Sequence, residues 1–314
     1  MNILASMRYL VALDKHRHFG RAAKECHITQ PALSNAMRAL EAEFAVVIVK
    51  RGRSYAGLTP EGEQVLAAAQ RMLHERDLLG QELASEALHP RGALRLGAVP
   101  TAVPVLSRFV AMLQSKHAGI VPQVLSLSSS ELETGLEDLS LDMALGYTGR
   151  IEGRKTGVQA LPQYTEHYFL LRRAKTLRAA GLHIGARMQW KQAAMYPLVL
   201  LTREMHNRTI VDAAFASAGL DVKPVMETNS ILTLALSVVA GNVCSVMPGA
   251  LVDLVRGYRE LEALPLVEPE VRTPIGFMTQ TSVRPSRVVE AALTLARDGA
   301  WLRHAAAHSG LLSA

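Results

Sequence analysis

The sequence predicts an α/β protein that joins an N-terminal helical module, a long connecting helix and a larger domain of two α/β lobes. Apolar residues recur at helical spacing up to residue 89, whereas strand-like and helix-like segments alternate after Gly92. The two regions are separated by His89-Pro90-Arg91-Gly92, a turn-forming sequence that ends a helix. With 314 residues and 49% apolar content, the chain can form two or three cores.

The composition argues against several protein classes. Cys26 and Cys244 lie far apart and lack the spacing of a zinc site, so neither a disulfide framework nor a structural metal is expected. No run reaches about 18 consecutive apolar residues, which argues against a membrane span. The N-terminus lacks a basic segment ahead of an apolar core, which argues against a signal peptide. We therefore expect a soluble, cytoplasmic protein with no metal and no cofactor.

The charge of the chain is unevenly distributed. The formal net charge is +6, but residues 1–60 carry nine Lys/Arg against four Asp/Glu, and residues 61–89 carry two against six. One interpretation is that the charged residues are scattered by chance over a solvated surface. The other is a basic N-terminal module that faces a polyanion, followed by an acidic helix that does not.

The first sixty residues contain two short helical patterns separated by a tight turn. A helix is expected at 21–26 after a break at Phe19-Gly20, and a further helix is capped by Thr29, with Pro31 in its first turn. The inward face of that further helix carries Leu33, Met37 and Leu40, and its outward face carries Ser34, Asn35 and Arg38. This pattern predicts a helix-turn-helix whose second helix enters a major groove. An ordinary three-helix bundle with a polar outer face fits the same spacing.

The next segment favours the DNA-binding interpretation. Apolar residues alternate over a short run from Val46, and Lys50, Arg51 and Arg53 then cluster around Gly52. This pattern predicts a small β-hairpin wing with a cationic tip, whose side chains contact phosphate and add affinity without sequence information. A winged helix-turn-helix is the better interpretation.

The stretch "RYLVALDKHRHFGRAAKECHITQPALSNAMRALEAEF", followed by "KRGR" and "LTPEGEQVL", closely resembles the N-terminal domain of LysR-type transcriptional regulators. The resemblance implies that the third helix and the wing contact DNA. The residues predicted to do so are Thr29, Gln30, Pro31, Ser34, Asn35, Arg38, Lys50, Arg51 and Arg53. The sequence departs from the family at Asn35, at Val49 and at Ala45-Val46-Val47, where Gly-x-Pro is usual.

A long helix is expected from Thr59-Pro60-Glu61 to about Ala87. Its apolar residues at heptad spacing are Val65, Ala69, Met72, Leu79 and Leu83, with Arg76 interrupting the strip. So narrow a strip predicts pairing with a second copy of the chain, although packing on its own domain is the alternative. The resemblance implies the linker helix of a dimer. The predicted domains are therefore 1–59, a linker at 60–89, and 92–314.

Residues 92–314 alternate strands such as "ALRLGAV" and "YPLVLLT" with helices such as "SELETGLEDLS", which predicts parallel α/β sheets. This region resembles the LysR effector domain, which has a bilobed fold like that of periplasmic binding proteins. The resemblance covers residues 92–305 and implies lobe one at about 92–162 and 268–305, with lobe two at about 163–267.

In such folds ligands bind outside the carboxyl ends of strands and at helix N-termini. Hydroxyl groups and free amides that converge there without an acidic cluster suit a small anion, such as a carboxylate. The predicted effector-binding residues are Thr101, Ser129, Ser130 and Thr202, with Tyr147 and Asn229 as further candidates. The resemblance supports Thr101, Ser129 and Thr202. The alternative for each hydroxyl is an ordinary helix N-cap.

Enzyme chemistry finds little support in the sequence. There is no G-x-S-x-G, no P-loop and no G-x-G-x-x-G after a strand. His304 and His308 share a helical face but have no nearby third ligand, and Cys244 has no partner cysteine in its lobe. We therefore expect a regulator without catalytic activity. A solute-binding protein of the same bilobed fold is the alternative, but it would carry a secretory signal and no recognition helix.

The partners expected for such a regulator are double-stranded promoter DNA, a small-molecule effector, and further copies of the chain as a dimer and homotetramer. RNA polymerase is a further candidate partner. A membrane is not expected.

Overall fold

The computed structural model describes residues 2–50, 52, 55–84, 89–151, 157–176, 181–310 and 312. It forms two compact units, Met1–Glu86 and Ala87–Ala314. Within the described residues, no helix is both long enough and apolar enough to cross a bilayer.

The first unit is a small helical domain. Its helices are α1 Ile3–His16, α2 Phe19–Glu25, α3 Gln30–Phe44 and α4 Pro60–Ala84. Their shared core contains Leu10, Leu13, Ala22, Ala23, Leu33, Met37, Leu40, Ile48 and Leu58. The small side chains of the alanine pair on α2 allow α1 and α3 to pack closely around it.

The break between α1 and α2 differs from the sequence prediction. Phe19 and Gly20 form the first turn of α2 and do not interrupt the chain. The break lies two residues earlier, where Arg17 is in the left-handed region at φ 48° and His18 caps α2. The His18 ring nitrogen Nδ1 accepts a hydrogen bond from the Gly20 N–H at 3.1 Å. Histidine is an uncommon N-cap, so the sequence pattern did not indicate that α2 begins here.

The turn between α2 and α3 agrees with the prediction. The Thr29 hydroxyl accepts a hydrogen bond from the Ala32 N–H at 3.3 Å, and Pro31 lies in the first turn of α3. Leu33, Met37 and Leu40 are buried against the other helices. The predicted helix-turn-helix is therefore confirmed as a structural element.

The described residues between α3 and α4 include a short antiparallel pairing. One bridge pairs Val49 with Leu58, and the Lys50 N–H donates to the Gly57 carbonyl at 3.0 Å. Gly57 has φ 100°, which an L side chain rarely adopts. The turn is held to α3 because Glu41 Oε1 accepts from the N–H groups of Ile48 and Val49 at 2.9 and 3.1 Å.

The second unit alternates strands and helices. In chain order its elements are β1 Gly92–Ala98, α5 Val103–Lys116, β2 Ile120–Ser126, α6 Ser129–Glu137, β3 Met143–Tyr147, β4 Val158–Arg173, β5 His183–Ile184, β6 Met188–Gln189, α7 Trp190–Ala193, β7 Leu198–Leu201, α8 His206–Ser217, β8 Met226–Thr228, α9 Ile231–Ala240, β9 Cys244–Pro248, α10 Gly249–Leu254, β10 Leu261–Val267, β11 Arg272–Gln280, α11 Arg287–Ala296 and α12 Gly299–Ala307. Short 3₁₀ turns follow β1 at Pro100–Ala102 and β3 at Thr148–Arg150.

The strand order is β2-β1-β3-β11-β4-β9-β7-β8. The predicted parallel pairing holds within β2-β1-β3 and within β9-β7-β8. In contrast, β11 is antiparallel to β3 and β4, and β4 is antiparallel to β9 and β10. These strands depart from the parallel pattern because they carry the chain directly between the two halves, without the helical crossover that parallel neighbours need.

Strand β4 belongs to both halves of the second unit. Its first part, up to His167, pairs with β11, and its second part, from Tyr168, pairs with β9 and β10. We call this strand and the start of β11 the hinge. One core lies on the β11 side of the hinge and contains Phe109, Phe277 and Trp301. Two further cores cover the opposite faces of the sheet on the β9 side.

Candidate DNA-binding surface and effector site

The predicted base-reading residues lie on the first two turns of α3. Thr29, Gln30, Pro31, Asn35 and Arg38 are exposed, and Ser34 is half-buried. The Arg38 guanidinium donates to Asn35 Oδ1 at 2.9 Å, so these two side chains form one hydrogen-bonded pair on the outer face. Their spacing of three residues on a helix could have predicted the pair.

The predicted wing is only partly described. Lys50 is exposed beside the turn, whereas Arg51 and Arg53 lie outside the described residues. Ala45, which ends α3, has φ 53° in the left-handed region. The chain therefore keeps the backbone conformation that glycine adopts most easily, although it carries a β-carbon there.

The apolar strip on α4 divides into two parts. Ala69 is fully buried and Val65 is half-buried, because this part of α4 packs within the unit. Met72, Leu79 and Leu83 expose 48%, 56% and 80% of their surface. Packing within its own unit therefore describes the first part of the strip, whereas pairing with a second copy stays a prediction for the exposed part.

Thr101 and Tyr147 are brought together on the β11 side of the hinge. Thr101 lies in the turn after β1, and Tyr147 is the last residue of the adjacent parallel strand β3. Their hydroxyl oxygens lie 3.0 Å apart. Both residues are buried, with 1% and 4% exposure.

The predicted residues at helix starts do not act as caps. Ser128 is the N-cap of α6, and it forms a capping box with Glu131. The Ser129 hydroxyl oxygen is buried with no hydrogen-bond partner, and Ser130 is exposed with its hydroxyl 3.1 Å from that of Ser128. The cap of α8 is Met205, so the N-cap alternative also fails for Thr202.

Thr202 and Asn229 follow the paired strands β7 and β8. The Thr202 N–H donates to the Thr228 carbonyl at 3.0 Å, next to Asn229 in the chain. The Thr202 hydroxyl donates to Glu204 at 2.7 Å, and Asn229 is exposed. No hydrogen bond within the described residues joins these two to Thr101 or Tyr147.

The first turn of α8 connects the two halves. Asn207 Nδ2 donates to the hydroxyl oxygens of Tyr147 and Tyr168 at 3.5 and 3.4 Å. The His206 ring lies edge-on to Tyr147, with 4.7 Å between the ring centroids. Sequence reasoning missed both residues, although their place at a helix start after β7 was a usable signal.

A buried run on β4 was also missed. Tyr164, Glu166 and Tyr168 lie on one face of the strand, with 7%, 0% and 2% exposure. Burial raises the pKa of Glu166 to about 8, partly offset by the neighbouring Tyr164 hydroxyl, although no hydrogen bond of normal geometry joins the two. Burial, and then the Glu166 carboxyl, raise the pKa of Tyr147.

Both cysteine thiols have raised pKa values. Burial raises the pKa of the Cys244 thiol to about 11 and also raises that of Cys26. The two belong to different units of the chain. No group of three or more His, Cys, Asp or Glu within the described residues could hold a metal ion.

Several regulators resemble this chain. The DNA-binding transcriptional dual regulator OxyR of Escherichia coli is 26% identical over 287 residues, which cover 88% of this chain and 89% of the relative. A probable hydrogen peroxide-inducible genes activator of Mycobacterium xenopi is 32% identical over 168 residues, or 53% of this chain and 87% of the relative.

Solved structures show the same fold. A full-length OxyR variant from Pseudomonas aeruginosa has a TM-score of 0.68 and 26% identity, and the match covers 94% of this chain and 97% of that one. Full-length CbnR in complex with its target DNA has a TM-score of 0.61 and 19% identity, covering 94% and 98%.

Two family models match most of the chain. The model of a bacterial regulatory helix-turn-helix protein of the lysR family matches residues 4–63, and that of the LysR substrate binding domain matches residues 87–301. The chain therefore belongs to the LysR family of DNA-binding transcriptional regulators.

Proposed function

We propose that a small-molecule effector, a carboxylate or another small anion, binds between the two lobes and modulates the promoter binding of this regulator. The observation that carries the proposal is the buried Thr101–Tyr147 hydroxyl pair, which Asn207 of the other lobe completes with a hydrogen bond. A ligand at this point would contact both lobes. It would therefore shift the population of lobe arrangements and, through them, of DNA-bound states.

The chemistry of the site supports an anion. The side chains that meet there present hydroxyl donors and, in Glu166, a carboxyl held neutral at pH 7 by its raised pKa. Ser129 adds a buried, unpartnered hydroxyl in the first turn of α6, where free N–H groups and the helix dipole favour negative charge. We retain Ser130, Thr202 and Asn229 as further candidates.

For DNA recognition we propose that the outer face of α3 reads bases and that the turn after it contacts phosphate. The exposure of Asn35 and Arg38 supports this, as does the exposed ammonium group of Lys50. We include Thr29, Gln30, Pro31 and Ser34 in the base-reading surface, and Arg51 and Arg53 in the phosphate-contacting wing.

We propose that the chain assembles as a homotetramer through two kinds of surface. The first is the exposed part of the α4 strip, at Met72, Leu79 and Leu83. The second consists of the two edges of the sheet, which expose Val121, Val124 and Leu125 on β2, and Val225, Met226, Leu232 and Leu236 on or beside β8 and α9. Apolar edge strands left uncovered favour association. RNA polymerase remains a proposed partner of the promoter-bound assembly.

We propose no catalytic activity, and no peroxide response through an internal disulfide. Several relatives are named as hydrogen peroxide-inducible activators. This chain has two cysteines, one in each unit, and its Cys244 thiol has a pKa of about 11, so little reactive thiolate forms at neutral pH.

A thermal-shift screen of the full chain against small carboxylates and other metabolic anions tests the effector proposal. A ligand at about 100 times its Kd adds roughly 2.7 kcal/mol to the free energy of unfolding, enough to raise Tm by several degrees. The shift should disappear in Thr101→Val and persist in Ser107→Ala, which removes an exposed hydroxyl on α5. A shift unchanged in Thr101→Val would place the ligand elsewhere. Binding of DNA by the full chain separates the regulator from a solute-binding protein.

A further inference from the structure

A buried polar cluster lies across the hinge. We define the hinge cluster as Thr101, Tyr147, Tyr164, Glu166, Tyr168, Asn207 and Thr273, all of them buried except Thr273, which is half-buried. It draws on the 3₁₀ turn after β1, on β3, on both hinge strands, and on the first turn of α8. Glu166 and Thr273 are direct neighbours across β4 and β11. The cluster therefore lies across the strands that carry the chain between the two halves of the second unit.

The hydrogen bonds of the cluster leave protons unused. Thr101 and Tyr147 share one bond of 3.0 Å, and Tyr168 and Thr273 share one of 3.3 Å, so each pair uses one of its two O–H protons internally. Both amide protons of Asn207 go to the tyrosine oxygens. Within the described residues, these pairs make no other side-chain hydrogen bond. Each pair therefore holds one proton available to an acceptor.

Glu166 and Tyr164 add further hydrogen-bond donors that have no acceptor within the described residues. Neither carboxyl oxygen of Glu166 has a hydrogen-bond partner within the described residues, and neither does the Tyr164 hydroxyl. A fully buried carboxylate without a partner is strongly unfavourable, so the group is stable there as the neutral acid. In that form Glu166 is itself an O–H donor. Buried donors without acceptors are rare, which makes these groups candidate contacts for a ligand.

Within the part of the chain that the structure describes, no cation pairs with Glu166. The charged groups on the surrounding elements are engaged elsewhere: Arg272 of β11 with Glu270, Arg208 of α8 with Asp212 and Glu227, Arg172 of β4 with Glu262, and Asp253 of α10 with Arg108 and His308. His206 contacts Tyr147, and burial and then Arg150 lower its pKa. The phenols of Tyr147, Tyr164 and Tyr168 lie close enough to Glu166 for its carboxyl to raise their pKa values.

We infer that the hinge cluster binds the carboxylate head of the effector, and that Glu166 is the residue that selects it, by donating the proton of its neutral carboxyl to a carboxylate oxygen of the ligand. This inference rests on the proposed effector site and adds the ligand chemistry. The proton stays between the two oxygens, and no bond other than this hydrogen bond forms. An O–H···O⁻ bond of this kind is among the stronger hydrogen bonds.

If Glu166 donates its proton to the ligand, effector binding depends on pH. A simple carboxylate is ionised throughout pH 6 to 9, so Glu166 is the group that changes. Because burial raises the pKa of Glu166 to about 8, it is neutral at pH 6 and mostly ionised at pH 9. The ionised form has no proton to donate and repels an anion. Affinity for a carboxylate should therefore be about tenfold lower at pH 9 than at pH 6.

Titration calorimetry of the full chain with acetate, at pH 6 and pH 9, tests the inference. The expected result is the tenfold loss in the unmodified protein and equal affinities at the two pH values in Glu166→Gln, whose amide still donates but does not titrate. Glu137→Gln, which alters an exposed carboxylate on α6, should behave like the unmodified protein. Equal affinities in the unmodified protein, or no acetate binding at either pH, would overturn the inference.

A second readout needs no ligand. The infrared difference spectrum between the unmodified protein and Glu166→Gln at pH 7 should contain the carbonyl band of a protonated acid. A carboxylate band in its place would overturn the inference. The Thr101→Val variant separates the role of Glu166 from the proposed effector site. If acetate binding is lost in this variant but does not depend on pH in the unmodified protein, the role of Glu166 is overturned and the effector site is supported. Acetate binding that changes neither with pH nor in Thr101→Val would overturn both the role of Glu166 and the proposed effector site.

Discussion

Replacing Glu166 with Gln should change how the free energy of unfolding depends on pH. The pKa of Glu166 rises from 4.5 to about 8 on burial. The folded protein therefore keeps a proton that the unfolded chain releases above about pH 4.5. The free energy of unfolding should fall as pH rises through this window, by about 1.4 kcal/mol per pH unit, and level off above pH 8. The neutral Gln side chain removes this dependence.

The size of the effect follows from the width of the window. At pH 8 Glu166→Gln should be more stable than the unmodified protein by on the order of 4 kcal/mol, and at pH 5 the two should agree within about 1 kcal/mol. For a unit of this size, 1 kcal/mol moves Tm by roughly 2 to 4 °C, so the gap at pH 8 should be about 10 °C.

Thermal and urea unfolding followed by circular dichroism from pH 5 to pH 8.5 gives the measurement. Glu137→Gln is the matched control, because it makes the same chemical change on an exposed position of α6. Parallel stability curves for the unmodified protein and Glu166→Gln would refute the reasoning, since they would mean that Glu166 is ionised or solvated in the folded state.

Three further predictions concern the first unit. Ala45→Gly should stabilise it by about 0.5–1 kcal/mol in urea unfolding, because a β-carbon at φ 53° is strained; a loss of stability would contradict this. The Arg51→Ala/Arg53→Ala double variant should bind all DNA sequences more weakly and reduce the salt slope of log K by about 2; an unchanged slope in fluorescence anisotropy titrations would rule out wing contacts. Leu79→Glu with Leu83→Glu should shift the assembly to smaller species in analytical ultracentrifugation, since both side chains are exposed on α4; unchanged sedimentation would exclude this surface.

Features fixed by local chemistry were predictable from the sequence. Thr29 caps α3 and Thr59 caps α4 as expected, because an N-cap needs only one hydroxyl and an N–H three residues away. The His18 cap was missed, since histidine rarely takes that role and Phe19-Gly20 resembled a break. Tyr147 was identified at the end of its strand, but its bond to Thr101 joins residues 46 positions apart, which no local pattern reveals.

The hinge cluster shows the limit of pattern reasoning more clearly. The run Tyr164, Glu166, Tyr168 has the period of two that sequence analysis uses for a half-buried strand, but a charged residue in the middle of it reads as solvent-facing. Its burial depends on the opposite strand β11 and on α8, both of which are distant in sequence. Likewise, the exposed and buried parts of the α4 strip have the same heptad spacing and differ only in what packs against them.

A comparison of DNA affinity with and without ligand tests most directly whether an anion between the lobes controls DNA binding. Fluorescence anisotropy would measure the Kd of the full chain for a DNA duplex selected from a random-sequence library, with and without a carboxylate found in the thermal-shift screen. The ligand should change the Kd for DNA in the unmodified protein. Without ligand, the Thr101→Val variant should bind DNA as well as the unmodified protein does. The ligand should leave the Kd of this variant for DNA unchanged. An equal ligand effect in Thr101→Val, or a bound carboxylate that leaves DNA affinity unchanged in the unmodified protein, would contradict the account.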